Sequence, residues 1–388
     1  MDRRQLPESS IEPSSRVIQV LLPLANLINR WPSLRPVACI FLLFSSPAHA
    51  LETIFITGYA FTGVTDTDSV VLMSTDGGTS WALQDSVFGL RETRSIAALS
   101  SSNYFAVGGT SGTNPTGYTF STSGGAQSVS SGLLQSVDVA AGTYYAAGAT
   151  TSGNSGTILK STDGTNWTTQ VSSGPKLYGV SASSASVAYA VGASGTVQKT
   201  TDGGTNWSSQ TTDSNYVLYG VDAANATTAY AVGKNGSNGV ILKTTDGTSW
   251  TTTQTVSGTP LNAVSATETD PNTAFAVGDG SVIMQTTDGV TWVDTNFSSL
   301  STGALTDIYA VSGTNAYAVG VFGTVAKLNG SGWSDISINI PVEYQGYNFT
   351  GVSVFTTVPE PSTIVLSVAA VSVLAIMHRA RKTAPKRI

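Results

Sequence analysis

The chain has 388 residues, only 11% of them charged, with 40 glycines and abundant Ser and Thr, a composition suited to short strands and turns more than to helices. The formal net charge is −6, but between Leu51 and Val358 eight Lys+Arg stand against twenty Asp+Glu, a balance near −12. A surface this acidic repels phosphate backbones and excludes nucleic acid as a partner. Cys39 precedes this region and His49 and His378 flank it, which excludes disulfides, Cys- or His-based metal sites and a Ser-His-Asp triad within it. No cofactor or metal is expected.

Residues 1–50 read as an export signal. Arg30 and Arg35 precede the apolar run Val37–Phe44, and SSPAHA then places Ala48 and Ala50 at an A-x-A site for signal peptidase. Cys39 lies inside the apolar run, which argues against a lipoprotein site. The stretch Met1–Leu34 is long for a basic region and leaves an over-called start codon open.

Residues 51–357 are built from repeats. The run GTVQKTTDGGTNW, ending at Trp207, returns in copies ending at Trp81, Trp167, Trp250 and Trp292, and in a worn copy ending at Trp333. From Trp167 the tryptophans step by 40, 43, 42 and 41 residues, and the 86 residues from Trp81 to Trp167 make two steps. The missing copy is TSGGAQS at Thr122–Ser128, which has lost both Asp and Trp. Seven copies at this period predict a propeller or another repeat array. Each unit reads as four short strands, with Asp-Gly between the third and fourth. The second strand recurs seven times, as in YAVGA at Tyr189, with an Ala/Gly face that lets the next sheet approach closely.

The first strand occurs only six times, from SIAAL at Ser95 to LTDIYAVS at Leu305. The region opens directly on a second strand at Leu51 and ends on YNFTGVSVF, Tyr347–Phe355, a first strand with nothing after it. The count predicts an all-β, seven-bladed β-propeller whose C-terminal strand completes the first blade and hides both sheet edges. An open solenoid with a capping strand is the alternative. A monomer is expected.

The repeated Asp76, Asp163, Asp202, Asp246 and Asp288 are read as turn formers, their carboxylates accepting backbone N–H groups two or three residues on. Their partners Trp81, Trp167, Trp207, Trp250 and Trp292 are read as buried rings. Symmetry spreads these aspartates around a ring, which argues against a shared catalytic or metal role. These residues resemble the Asp-box, or bacterial neuraminidase repeat, S/T-x-D-x-G-x-T-W. With the preceding AVG strand the unit also looks like the propeller of photosystem II stability and assembly factors. The resemblance covers about Leu51–Phe355 and implies a fold more than a function. Sialidases with this repeat use three arginines from different blades, and this propeller has only Arg91 and Arg94. Asp138 and Asp222 occupy comparable inner-strand positions and are expected to be solvated or to cap turns. No catalytic residues are assigned, although a carboxylate pair acting on a sugar remains an alternative.

Residues 358–388 begin with Pro359-Glu360-Pro361, continue with the apolar Ile364–Met377, and end in a cluster from Arg379 to Arg387. Sixteen residues from Ser362 to Met377 give a short transmembrane helix of about 24 Å, with the basic tail cytoplasmic. In this order the segment closely resembles the PEP-CTERM sorting signal. That resemblance implies an exosortase-like processing enzyme as a partner, cleavage near Pro359–Pro361, and delivery from the inner membrane to the cell surface or an exopolysaccharide matrix. The expected function is a non-catalytic binding or structural role, with extracellular polysaccharide or protein as partner. A photosystem II assembly-factor-like protein and a glycoside hydrolase are the alternatives.

Overall fold

The computed structural model describes residues 51–357 apart from 62–66, 88–91, 111–115, 123–124, 130, 154, 211, 268, 296–299, 301–302 and 331. The signal segment with Ala48 and Ala50, and the sorting segment with Pro359, Glu360 and Pro361, lie outside the described residues, and so do Cys39, Arg91 and both histidines. Among the described residues no helix is long and apolar enough to cross a membrane.

Leu51–Thr357 forms one compact unit of seven four-stranded antiparallel sheets. The innermost strands are Glu92–Ser100, Leu134–Ala140, Leu177–Ala182, Tyr216–Asp222, Leu261–Ala266, Leu305–Ser312 and Asn348–Thr357. Each touches the next in a closed cycle, the last meeting both Leu305–Ser312 and Glu92–Ser100. The chain is a seven-bladed β-propeller. In the first blade Asn348–Thr357 pairs antiparallel with Leu51–Phe61, from Leu51↔Thr357 to Tyr59↔Asn348. The unpaired strand at each end of the repeat array thus becomes the partner of the other, and neither edge stays open.

The strand directions define two faces. Leu51, Thr357, the Asp-box hairpins and the turns between first and second strands share one, the box face. The turns between second and third strands and the blade-to-blade connections share the other, the rim face.

Blade packing follows from the second strand. Tyr189 and Val191 pack toward the fifth blade, while Ala188 and Ala190 pack on the third. In blades four to seven the box tryptophan meets the second-strand aromatic of the preceding blade nearly edge-on: Trp207 on Tyr145 at 6.0 Å, Trp250 on Tyr189 at 6.0 Å, Trp292 on Tyr230 at 5.9 Å and Trp333 on Phe275 at 6.0 Å, while Trp167 lies tilted on Phe105 at 5.4 Å. The second blade has no box tryptophan, and Tyr104 instead lays its ring 5.3 Å from Phe55 of the first.

Third-strand lysines tie the same interfaces. Lys160 Nζ donates to the Gly203 carbonyl at 2.6 Å, Lys199 Nζ to Gly247 at 3.0 Å, and Lys327 Nζ to Gly77 at 2.9 Å, each in the next blade's box. Lys243 reaches Asn272 Oδ1 at 3.0 Å. Gln285 holds the equivalent position in the sixth blade, whose neighbour carries the worn box, and donates to Gly313 O at 3.1 Å.

At the seam a carboxylate replaces a turn. The hydroxyls of Tyr145, Tyr189 and Tyr230 donate to carbonyls of the next blade's first turn, at Ala185, Ala226 and Pro271. The first blade has no such turn, because its inner strand comes from the far end of the chain. There Tyr317 donates to Glu52 Oε2 at 2.7 Å, and Asn315 bonds the other carboxylate oxygen.

Candidate functional site: the rim of the central channel

A channel of about 740 Å³ runs between the seven innermost strands. In every blade the inner strand carries a β-bulge within its first four residues. Leu177 pairs with Gly192 and Gly179 with Val191, so Tyr178 is the extra residue. The same shift singles out Thr350, Arg94, Gln135, Tyr219, Asn262 and Thr306 in the other six blades. A bulge re-aims its extra side chain, and here all seven line the channel at the rim face. The opposite strand makes this possible: a Cβ on Gly192 would stand 2.0 Å from the Lys176 carbonyl, so only glycine admits the bulged backbone there.

The rim divides into two sectors. In the sixth, seventh and first blades the bulged residue binds the carbonyl that opens the next inner strand. Asn262 Nδ2 donates to Leu305 O at 2.8 Å, Thr306 Oγ1 to Phe349 O at 2.6 Å, and Thr350 Oγ1 to Thr93 O at 2.8 Å. In blades two to five Arg94, Gln135, Tyr178 and Tyr219 make no such bond. Arg94 pairs with Glu92 and lies 5.3 Å from the centre of the Tyr59 ring. Tyr178 and Tyr219 meet edge-to-face at 5.5 Å, and Lys234 Nζ lies 5.8 Å from the Tyr219 ring centre.

Below the rim the wall is a belt of Ser and Asp oxygens, each accepting a backbone N–H from the following blade. Ser353 takes Ala98 N at 2.9 Å, Ser95 takes Val137 N at 3.3 Å, and Asp138 takes Ala182 N at 2.8 Å. Ser181 takes Ala223 N at 3.1 Å, Asp222 takes Ala266 N at 2.6 Å, and Ser265 takes Ala310 N at 3.0 Å. Asp307 closes the cycle on Val352 N at 2.8 Å. Where the usual belt position holds Ala97 or Tyr309, the acceptor comes from two residues earlier, Ser95 or Asp307. These strand edges face the channel and would otherwise leave their donors unpaired.

This corrects the expectation for Asp138 and Asp222. They cap no turn: both are half-buried in the channel wall, where the next blade's N–H reaches them. Their second oxygens are also engaged. Asp138 Oδ1 accepts from Val139 N at 2.7 Å, and Asp222 Oδ1 from the Ser181 hydroxyl at 3.2 Å. Burial in the channel wall pushes the Asp222 carboxyl up to about 6, with the negative charge of Asp138 adding to the effect and the Ala266 N–H opposing it. Burial likewise pushes Asp307 up to about 7, opposed by hydrogen bonds from Val352 and Ile308 and assisted by the charge of Asp222.

The box aspartates sit on the opposite face, each turned into its own hairpin. Asp163 Oδ1 accepts Thr165 N at 2.9 Å and Asn166 N at 2.7 Å, and Asp246 and Asp288 repeat the pattern. In the two boxes with an extra glycine the donors lie one residue further on: Thr79 and Ser80 for Asp76, and Asn206 for Asp202. Hydrogen bonds led by the Ser80 hydroxyl lower Asp76 to about 2. Among the described residues no group of three or more His, Cys, Asp or Glu is placed to hold a metal ion.

The rim residues carry a sequence signal of their own. Within the first strands the leading residue is apolar in six blades and Thr93 in the second, and the fourth position is Ile or Val throughout, while the second position reads Arg, Gln, Tyr, Tyr, Asn, Thr and Thr from the second blade round to the first.

Comparison with known proteins places the fold. The sequence model of the DUF6242 beta propeller domain matches residues 222–365, under half of the chain. No curated protein matches. Among solved structures, proteins of Bacteroides uniformis and Bacteroides fragilis described as 6-phosphogluconolactonases are each 11% identical. They cover 79% and 80% of this chain and 99% of their own, with TM-scores of 0.56 and 0.55. YCF48 bound to a D1 peptide is 14% identical over 73% of this chain and 93% of its own, with a TM-score of 0.50. The chain is thus similar in fold to a photosystem assembly factor and to enzyme-like propellers, and at such identities the likeness is one of fold alone.

Proposed function

We propose that this is an exported, non-catalytic binding propeller that takes its ligand on the rim of the central channel. The observation that carries the reading is the seven-fold bulge, which sets one side chain per blade at the channel mouth and varies that side chain from blade to blade. The carboxylates suited to acid–base chemistry, Asp138 and Asp222, are engaged at both oxygens in the blade-to-blade belt, which supports binding over catalysis. Export rests on the Ala48–Ala50 site, and sorting to the surface or matrix on Pro359-Glu360-Pro361 and the segment after it.

Two measurements test the reading. Mixed glycan and peptide arrays, probed with the chain and with a Tyr178→Ala/Tyr219→Ala double variant, should give hits that the variant loses. Hits that the variant retains, or turnover of a bound glycan, overturn it. A rim-dependent peptide hit would instead bring the protein toward the peptide complex of YCF48. Mass spectrometry of surface fractions should recover propeller peptides and none from Ser362–Ile388. Recovery of the intact tail makes that segment an anchor only.

A further inference from the structure

The described Lys and Arg side chains divide by face. Lys160, Lys199, Lys243 and Lys327 are engaged on the box face by carbonyl and amide oxygens. The other three, Arg94, Lys176 and Lys234, belong to the rim face, on the second, fourth and fifth blades. Lys176 is exposed immediately before the Leu177 strand, and Lys234 lies in the last two residues of the Ala229–Asn235 strand, against Tyr219. Arg94 is held by Glu92, so in an acidic domain the two remaining lysines, Lys176 and Lys234, with which no carboxylate pairs among the described residues, both fall in the open sector, one two residues before Tyr178 and the other against Tyr219. The carboxylates nearby have hydrogen-bond partners, which leave Asp213 and Asp279 their negative charge, and Asp279 acts on Lys234. Glu92 pairs with Arg94, Asp213 holds Asn215 N and Nδ2 at 2.9 Å each, and Asp279 takes Asn262 Nδ2 at 3.2 Å. Gln135 has no hydrogen-bond partner among the described residues and adds an amide that can donate and accept.

We propose that this sector binds an anionic oligosaccharide, with Tyr178 and Tyr219 against the apolar faces of successive sugar rings, Gln135 on hydroxyls, and Lys176 and Lys234 on carboxylates. The inference rests on the rim-binding reading above and names its ligand class. Adjacent aromatic rings with a cation over one of them suit a ligand whose apolar ring face and acid group lie side by side. An extended peptide is the poorer fit. Peptides that add to a sheet draw on its free edge donors, and the Ser/Asp belt already occupies channel-facing N–H groups in all seven blades. Asp138, Asp222 and Asp307 make the lumen acidic, so an anionic chain lies across the mouth and does not thread the channel.

The test is calorimetric titration of the full chain with oligogalacturonate, with its neutral methyl ester, and with citrate as a ring-free acid. Oligogalacturonate should bind at least tenfold more tightly than either control and weaken with added salt. Lys176→Gln and Lys234→Gln, both at exposed or half-exposed positions, should each weaken binding about tenfold. Tyr219→Ala should abolish it while leaving the far-UV spectrum and melting temperature unchanged. Equal affinity for the methyl ester, or for citrate, overturns the ligand class and leaves the rim as a site for something else. Binding that survives Tyr178→Ala/Tyr219→Ala, or no oligogalacturonate binding at all, overturns the proposal outright. A rim-dependent array hit would in the latter case keep the broader reading intact.

Discussion

The two faces of the propeller treat repetition in opposite ways. On the box face the blades solve one problem with one set of residues: an aspartate folds the hairpin, a tryptophan covers the neighbour's aromatic ring, and a lysine donates to the neighbour's turn. On the rim face one backbone device, the bulge opposite a glycine, recurs in every blade but displays a different side chain each time. Repetition marks what each blade interface needs for packing, and variation within a fixed geometry marks what is free to meet a ligand. The faces should therefore separate cleanly in experiments, box-face changes lowering stability and rim changes lowering binding.

The largest effect should come from the closing strand. A chain ending at Pro341 leaves the first blade with three strands and two open edges, and should aggregate or lose cooperative melting. A truncated form that is monomeric with an unchanged melting temperature breaks the closed-ring account. Next, Trp292→Ala removes a ring that is 7% exposed and should cost about 3–5 kcal/mol in denaturant unfolding, with rim binding retained in the folded fraction.

The third prediction concerns the belt. Asp307 holds its proton more tightly folded than unfolded, so its contribution favours the folded state at low pH and is lost as pH rises from about 4 through about 7. Asp307→Asn keeps an acceptor for Val352 N without the buried charge. It should raise stability at pH 8 by on the order of 1 kcal/mol and leave stability at pH 4 unchanged, as read by melting curves at both values. A variant less stable than the parent at pH 8 shows that the carboxylate outweighs its desolvation cost. Asp76 has the opposite sign: its lowered value makes stability fall as pH drops from about 4 toward 2. The smallest effect is expected at the rim, where Lys234→Gln should change unfolding free energy by under about 0.5 kcal/mol.

Much of the box face was legible in the sequence because its interactions are local or periodic. The aspartate and its N–H donors lie within four residues of each other, and the tryptophan recurs at blade spacing, so a single chain displays them several times. The closing strand could be inferred from a count, six first strands against seven of the others. The rim could not be read in that way, since a bulge is a statement about register and emerges only once Leu177 is seen opposite Gly192 and Gly179 opposite Val191. The belt was hidden for a similar reason. Asp222 and Ala266 stand 44 residues apart, and at that separation an inner-strand aspartate looks no different from a solvated one. The lysine that precedes four of the boxes was visible at fixed spacing, but its acceptor lies in the following repeat.

The pairing of Leu51–Phe61 with Asn348–Thr357 also sets the timing of the molecule's birth. The segment made first waits for a partner made almost three hundred residues later, so the first blade cannot finish while the rest of the chain is still being synthesised. Every premature stop within the repeats yields a product with exposed strands, which proteases and chaperones can recognise. The seam thus acts as a proofreader of length, admitting to the closed state only chains translated through to their last strand.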